Sequence, residues 1–202
     1  MLTSICNVMK EGYDRGWITT RDGNCSLTEY RRTRFYITPS AVRKNMIISE
    51  NLLRLKIHSD TKEILGLEGS NPSGELEMHY LLQKDFYHTR CVLHLHPTYT
   101  VAAMYAGWSL PEMVSDFPEL YRYTRVGNNV PLLDATSPEL AKATYKSFAM
   151  SEEGVSRFDI VGQTNHGVTS IGTSPWDAFE HIERLEHISQ IVLSSGRKPR
   201  KG

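Results

Sequence analysis

Apolar positions recur at helical spacing over residues 2 to 13, where Leu2, Ile5, Cys6, Met9 and Tyr13 fall on one face and Gly12 and Gly16 offer places to stop. The pattern then shortens. Asp22-Gly23-Asn24 reads as a turn. Arg34 to Thr38 reads as a strand broken by Pro39-Ser40, Met46 to Ile48 starts another short strand, and Leu52 to His58 and Glu63 to Gly66 continue a run of strands and turns. After the loop signal Asn71-Pro72-Ser73-Gly74, the residues Leu76, Met78, Tyr80, Leu81, Leu82 and Gln83 predict a helix to about Lys84. Cys91 to His96 alternates as a strand does, and Tyr99 to Tyr105 predicts a helix closed at Gly107. Ser137-Pro138-Glu139 combines a hydroxyl cap, a first-turn proline and an acid at the positive helix end, so a helix follows over 139–150. Asp159 to Thr164 and Val168 to Ile171 read as strands around Asn165-His166-Gly167. Ser174-Pro175-Trp176-Asp177 caps a last helix whose apolar stripe is Trp176, Phe179, Ile182, Leu185, Ile188 and Val192.

Strands and helices mix irregularly, without repeat or linker, which predicts one α/β domain over residues 1–202 with a central sheet between helices. Composition adds exclusions. The formal net charge is zero, so no general nucleic-acid or membrane surface is indicated. The basic residues Arg197, Lys198, Arg200 and Lys201 read as a flexible solvated tail over 197–202. Three cysteines, Cys6, Cys25 and Cys91, make an odd number with no C-x-x-C pair, so a disulfide framework is not expected and a cytoplasmic setting is. The N-terminus lacks the basic and apolar regions of a secretory signal, and no apolar run is long enough to span a membrane.

The histidines change the picture most. Strand side chains alternate faces, so His94 and His96 leave the same face, about 6–7 Å apart along the strand, near the carboxyl end that Pro97 terminates. Neutral imidazole is a favoured ligand for zinc and its neighbours, although two histidines on a polar strand face can also be no more than that. His166, in a turn after an apolar strand, supplies a third imidazole, and three protein ligands leave an ion with the open position of a catalytic site. His58, His79, His88, His181 and His187 have no comparable arrangement. His181 and His187 sit among Glu180, Glu183 and Glu186 and read as surface or interface residues, while His79 is placed to support the site from behind. Glu75 lies in the first turn of its helix, where the helix end and a nearby cation favour an ionised general base. The other reading of Glu75 is a helix-end acid with only a dipole role, and Glu77 competes for the catalytic one.

Together, Ser73-Gly74-Glu75 with His79, then His94-x-His96, then Asn165-His166-Gly167, resemble the class II aldolase/adducin family, most of all its L-fuculose-1-phosphate aldolase type. The likeness begins at Gly23-Asn24-Cys25-Ser26, passes through Ile37 to Ser40 and reaches the last helix. It implies a three-layer α/β/α fold with a mixed or antiparallel central sheet. It also implies a homotetramer with sites between subunits, and Zn2+ or another divalent ion (Mn2+, Co2+, Fe2+) on His94, His96 and His166. Glu75 matches the family's acid/base glutamate, and Asn24, Ser40 and Ser73 match its phosphate-binding loops, with Gly74 beside them. The implied reaction is reversible aldol cleavage of a small phosphorylated ketose to dihydroxyacetone phosphate and an aldehyde. The same fold also serves dehydratases, decarboxylases and epimerases of sugar phosphates, and non-catalytic adducin-like interaction domains. This chain departs from the pattern at Arg21, Ala41 and Gly74, where the family has threonine, glycine and serine; Arg21 or Arg43 is expected to make up the phosphate contact. Leu132 and Leu133 stand within the stretch Pro131 to Asp134, near which the aldolases carry a tyrosine from a neighbouring subunit, and Tyr121 and Tyr123 are the nearest substitutes.

Overall fold

The computed structural model describes residues 1–29, 33–40, 42–57 and 64–199. Its strands are β1 (Asn24–Thr28), β2 (Arg34–Ile37), β3 (Leu53–Ile57), β4 (Ile64–Leu65), β5 (Cys91–Leu95), β6 (Ile160–Gln163) and β7 (Gly167–Gly172). They form a sheet in the order β4-β3-β2-β1-β5-β7-β6, antiparallel at every step. The helices are α1 (Leu2–Asp14), α2 (Leu76–Asp85), α3 (Thr98–Tyr105), α4 (Leu110–Val114), α5 (Pro138–Ser147) and α6 (Pro175–Ser194).

Period-two alternation divides the sheet into two faces. Cys25, Leu27, Cys91, Leu93, Leu95, Ile160 and Val168 point to one side and join a buried cluster with Ile5, Val8 and Met9 of α1, Met104 of α3, Leu110 of α4 and Phe179, Ile182 and Leu185 of α6. Val92, Val161 and Ile171 point the other way, against Met78 and Leu82 of α2, Ala141 of α5, and Phe86 and Phe148. Phe35, Ile37, Leu55 and Ile57 extend that second face under Leu76 and Tyr80. The result is the three-layer α/β/α class II aldolase-like architecture expected, with an antiparallel sheet.

The cap signals act as their chemistry requires. Ser137 Oγ accepts from the Leu140 N–H at 3.1 Å, and Ser174 Oγ accepts from the Asp177 N–H at 3.1 Å, each with proline in the first turn. Four local readings are corrected. Met46 to Ile48 is not a strand: short 3-10 turns occupy Lys44–Met46 and Ser49–Asn51, so this stretch links β2 to β3 without entering the sheet. The turn at Asp22-Gly23 leads into β1, a strand whose polar residues hid it. Trp176 is 39% exposed and lies off the buried stripe of α6. His181 is buried, its Nδ1 2.9 Å from Thr124 Oγ1, so it is a core histidine; His187 is exposed as expected. His58, Glu63, Ala41 and the tail beyond Pro199 lie outside the described residues.

Candidate metal centre

β5 delivers the first two histidines. His94 lies on the α2 side of the sheet, opposite Thr169 of β7, and is almost wholly buried. His96 follows one step beyond the strand, its N–H tied to the Trp17 carbonyl at 3.0 Å. The third comes from the β6–β7 hairpin. Asn165 adopts a left-handed φ of 58°, a conformation asparagine tolerates better than most residues, and the His166 N–H closes the turn on the Gln163 carbonyl at 2.9 Å. Gly167 makes room. A Cβ there would lie 2.6 Å from His96 Cδ2, 2.6 Å from the Leu95 carbonyl oxygen and 2.9 Å from His94 Cε1.

These elements bring the rings of His94, His96 and His166 to centroid separations of 4.8, 4.8 and 4.9 Å. One nitrogen from each lies within 4.8 Å of the others, and His94 Nε2 and His96 Nε2 are 2.8 Å apart. Bonds of about 2.0–2.1 Å to a tetrahedral zinc would set such nitrogens roughly 3.3 Å apart, so small ring movements accommodate an ion. The electrostatics agree with the geometry. Burial is the first cause that lowers the pKa of all three, and it takes His96 to about 4; for His94, the neighbouring imidazoles lower it further. Neutral imidazoles with lone pairs converging on one point are what a cation requires. His166 Nδ1 is buried without a hydrogen-bond partner, another sign that the group fits.

Glu75 stands at the N-cap position of α2, one residue ahead of the first turn, yet its side chain does not cap the helix. It turns inward instead. Oε2 accepts from Asn24 Nδ2 at 3.0 Å and lies 3.5 Å from His94 Nε2, while Oε1 is buried without a hydrogen-bond partner. Burial raises the carboxyl pKa to about 7, against the Asn24 hydrogen bond that lowers it. This placement favours the inward role over a dipole role. Glu77, by contrast, is exposed and does not line the histidine cavity.

That cavity has a volume of about 270 Å³ and gathers Arg21, Asn24, Ser40, Ser73, Gly74 and Glu75 around the histidines. The three histidines, Glu75 and the residues matched to the phosphate-binding loops therefore line one space with Arg21, whereas Arg43, the alternative to Arg21, does not. The departure at Gly74 has a local cause: a Cβ there would meet Thr136 Cγ2 at 2.9 Å, and Thr136 itself holds a left-handed φ of 64°. Tyr121 and Tyr123 are about half exposed and lie elsewhere, and among the described residues no tyrosine lines the cavity. Sequence reasoning overlooked Lys44. It is 1% exposed, lines the cavity, and donates from Nζ to the carbonyls of Pro39 at 2.7 Å and Val42 at 3.4 Å. Burial lowers its pKa. Its place between the break at Pro39-Ser40 and Met46, in a stretch given no element, left no signal in spacing.

The model of the class II aldolase and adducin N-terminal domain matches residues 3–193, and the chain belongs to that family. A methylthioribulose-1-phosphate dehydratase of Cronobacter sakazakii is 30% identical over 195 residues, covering 89% of this chain and 91% of that protein. A 3-oxo-tetronate 4-phosphate decarboxylase of Haemophilus influenzae is 26% identical over 197 residues, covering 93% and 85%. The structure of a sugar-phosphate aldolase from Thermotoga maritima superposes with a TM-score of 0.77 at 22% identity, covering 98% of this chain and 97% of that one, which establishes the shared fold.

Proposed function

We propose that this protein is a metal-dependent lyase that breaks a bond near the carbonyl of a small phosphorylated sugar, with Glu75 as the acid/base. The observation that carries this reading is the position of Glu75: the residue lines the cavity, one of its oxygens is held by Asn24 beside His94, and the other is buried without a hydrogen-bond partner. His94, His96 and His166 would hold the ion, with zinc the first choice for an all-imidazole set. When bound, a divalent ion supplies Lewis-acid polarisation of the substrate's carbonyl and neighbouring hydroxyl oxygens. Glu75 moves a proton to and from the adjacent carbon through Oε1, and a carboxyl poised near neutrality suits both directions. Arg21, Asn24, Ser40, Ser73 and Gly74 take the phosphate end, with the buried Lys44 ammonium behind Ser40 as countercharge. The family resemblance supports a homotetramer with sites between subunits, and the composition supports a cytoplasmic setting.

Aldol cleavage of a phosphorylated ketose to dihydroxyacetone phosphate is the first reaction to test. A second reading, decarboxylation or dehydration of a related sugar phosphate, has its own support: two such enzymes align over most of the chain, and among the described residues no tyrosine lines the cavity to take the hydroxyl proton as an aldehyde departs. The zinc-loaded protein is incubated with a panel of phosphorylated ketoses and keto acids, beside Glu75→Gln. Release of dihydroxyacetone phosphate by wild type alone supports the aldolase, and release of carbon dioxide or water supports the second reading. Full activity in Glu75→Gln removes Glu75 from its role, and failure to bind any divalent ion removes the centre.

A further inference from the structure

On β1, Asn24, Ser26 and Thr28 alternate on the sheet face that α2 covers, and all three are buried. Polar groups placed there must find partners within the protein. His79 and Gln83 follow Glu75 at four-residue steps along α2, and both are wholly buried. Gln83 Nε2 donates to Ser26 Oγ at 3.0 Å and to the Arg90 carbonyl at 3.1 Å. Ser26 Oγ is 2.7 Å from His79 Nδ1, His79 Nε2 is in short contact with Asn24 Oδ1, and Asn24 Nδ2 donates to Glu75 Oε2 at 3.0 Å.

The inventory of donors and acceptors sets the direction of this chain at the Asn24 end and is compatible with it at the Ser26 end. Both hydrogens of the Gln83 amide are spent, one of them on Ser26, so the Ser26 hydroxyl is free to donate to His79 Nδ1. At the other end, Asn24 Oδ1 can only accept, so the hydrogen between it and the ring belongs to His79 Nε2. The Asn24 end requires the hydrogen on Nε2, and the Ser26 end accommodates the neutral ring that carries it there. Turning the Asn24 amide over would set its carbonyl against the Glu75 carboxylate, and His79 prevents that by occupying the carbonyl.

We propose that His79, as the neutral Nε2–H tautomer, is a positioning residue for Glu75, orienting the Asn24 amide so that Oε2 is held and Oε1 alone meets the substrate. This rests on the reading of Glu75 as the acid/base. The first test needs no turnover. In zinc-loaded protein with ¹⁵N-labelled histidine at pH 7.5, the His79 signals, assigned by their loss in His79→Gln, should show a protonated Nε2 and a bare, hydrogen-bonded Nδ1. An Nδ1–H ring or a doubly protonated ring would reverse or break the chain and overturn the proposal. The Asn24 side-chain amide resonance should also move in His79→Leu and stay in His79→Gln, since glutamine can accept from Ser26 and donate to Asn24. An unmoved resonance in His79→Leu is equally fatal. Where His79→Leu does not fold, the tautomer decides alone.

The second test uses whichever substrate the panel identifies. His79→Leu should lower kcat roughly 10–100-fold, the usual scale for a residue supporting a site from behind, with KM and zinc content unchanged. His79→Gln should restore most of it. In a Glu75→Gln background the His79→Leu change should cost nothing further, and additive losses would show that His79 does not act through Glu75. If the wild type turns over nothing, the reading of Glu75 falls, while the tautomer and the Asn24 resonance still decide whether His79 orients the amide.

Discussion

His79 makes the stability of the metal-free protein depend on pH, in a direction and size that follow from its burial. Its ring is fully enclosed, and desolvation lowers its pKa from 6.5 to about 3. The unfolded chain therefore binds a proton near pH 6.5 that the folded chain refuses until about pH 3. Stability from this group is complete above pH 6.5 and drains away as pH falls toward 3. At 1.36 kcal/mol per pKa unit, lowering the pH from 7.5 to 5.0 costs about 2 kcal/mol, and the full span costs about 5 kcal/mol. Set against a typical stability of about 5–15 kcal/mol, the first step is easily measured, as a fall of roughly 1 M in the urea midpoint. His94 and His96 push in the same direction, so the diagnostic quantity is a difference. Urea unfolding of metal-free wild type and His79→Gln is followed at both pH values, and wild type should lose about 2 kcal/mol more than the variant. Parallel losses, within about 0.5 kcal/mol, would refute the assignment of His79 as a buried neutral ring.

Three further predictions concern the cavity. Zinc binding at pH 7 should release about half a proton, because Glu75 has a pKa of about 7 and the cation ionises it, whereas the imidazoles are already neutral; calorimetry in buffers of different ionisation heat checks this, and Glu75→Gln should release almost none. Gly167→Ala should fold with a loss of about 1–3 kcal/mol from overpacking, yet bind zinc far more weakly, because the new Cβ meets a backbone carbonyl at 2.6 Å and must displace the imidazoles; wild-type affinity in a metal titration would contradict the cradle. Lys44→Met should weaken binding of inorganic phosphate by about 10–100-fold, the equivalent of one charge-assisted hydrogen bond of about 1.5–3 kcal/mol, and titration calorimetry with unchanged affinity would remove Lys44 from the anion end.

What the sequence disclosed about this molecule depends on how local the cause was. The helices α5 and α6 are legible because serine, proline and an acid occupy adjacent positions and act on the next turn. His94 and His96 are legible because a strand places residues two apart on one face, and His166 because Asn165-His166-Gly167 spells a turn. In each case the residues that decide the outcome lie within a few positions of one another.

Where the cause is remote, the pattern misleads. β1 reads Asn-Cys-Ser-Leu-Thr, which alternates like a strand with a wet face; that face is dry only because α2, some fifty residues on, covers it and satisfies Asn24 and Ser26. His181 and Glu186 look solvated on α6, yet the first meets Thr124 and the second accepts from the N–H groups of Tyr99 and Thr100 at 2.8 and 2.7 Å, across 87 and 86 residues of chain. Glu186 thereby caps α3 from a distance, fixing the helix that starts two residues after His96. The same holds for Lys44, whose burial depends on the carbonyls of Pro39 and Val42 and on the walls of the cavity. Polar side chains are ambiguous in a sequence because exposure and satisfied burial call for the same residues, and only the fold distinguishes them. The three histidines proposed as ligands escaped that ambiguity because imidazoles converging on one point carry a meaning that surface histidines do not. Their supporting groups, buried and hydrogen-bonded one to the next, carry it only once α2 is laid across the sheet.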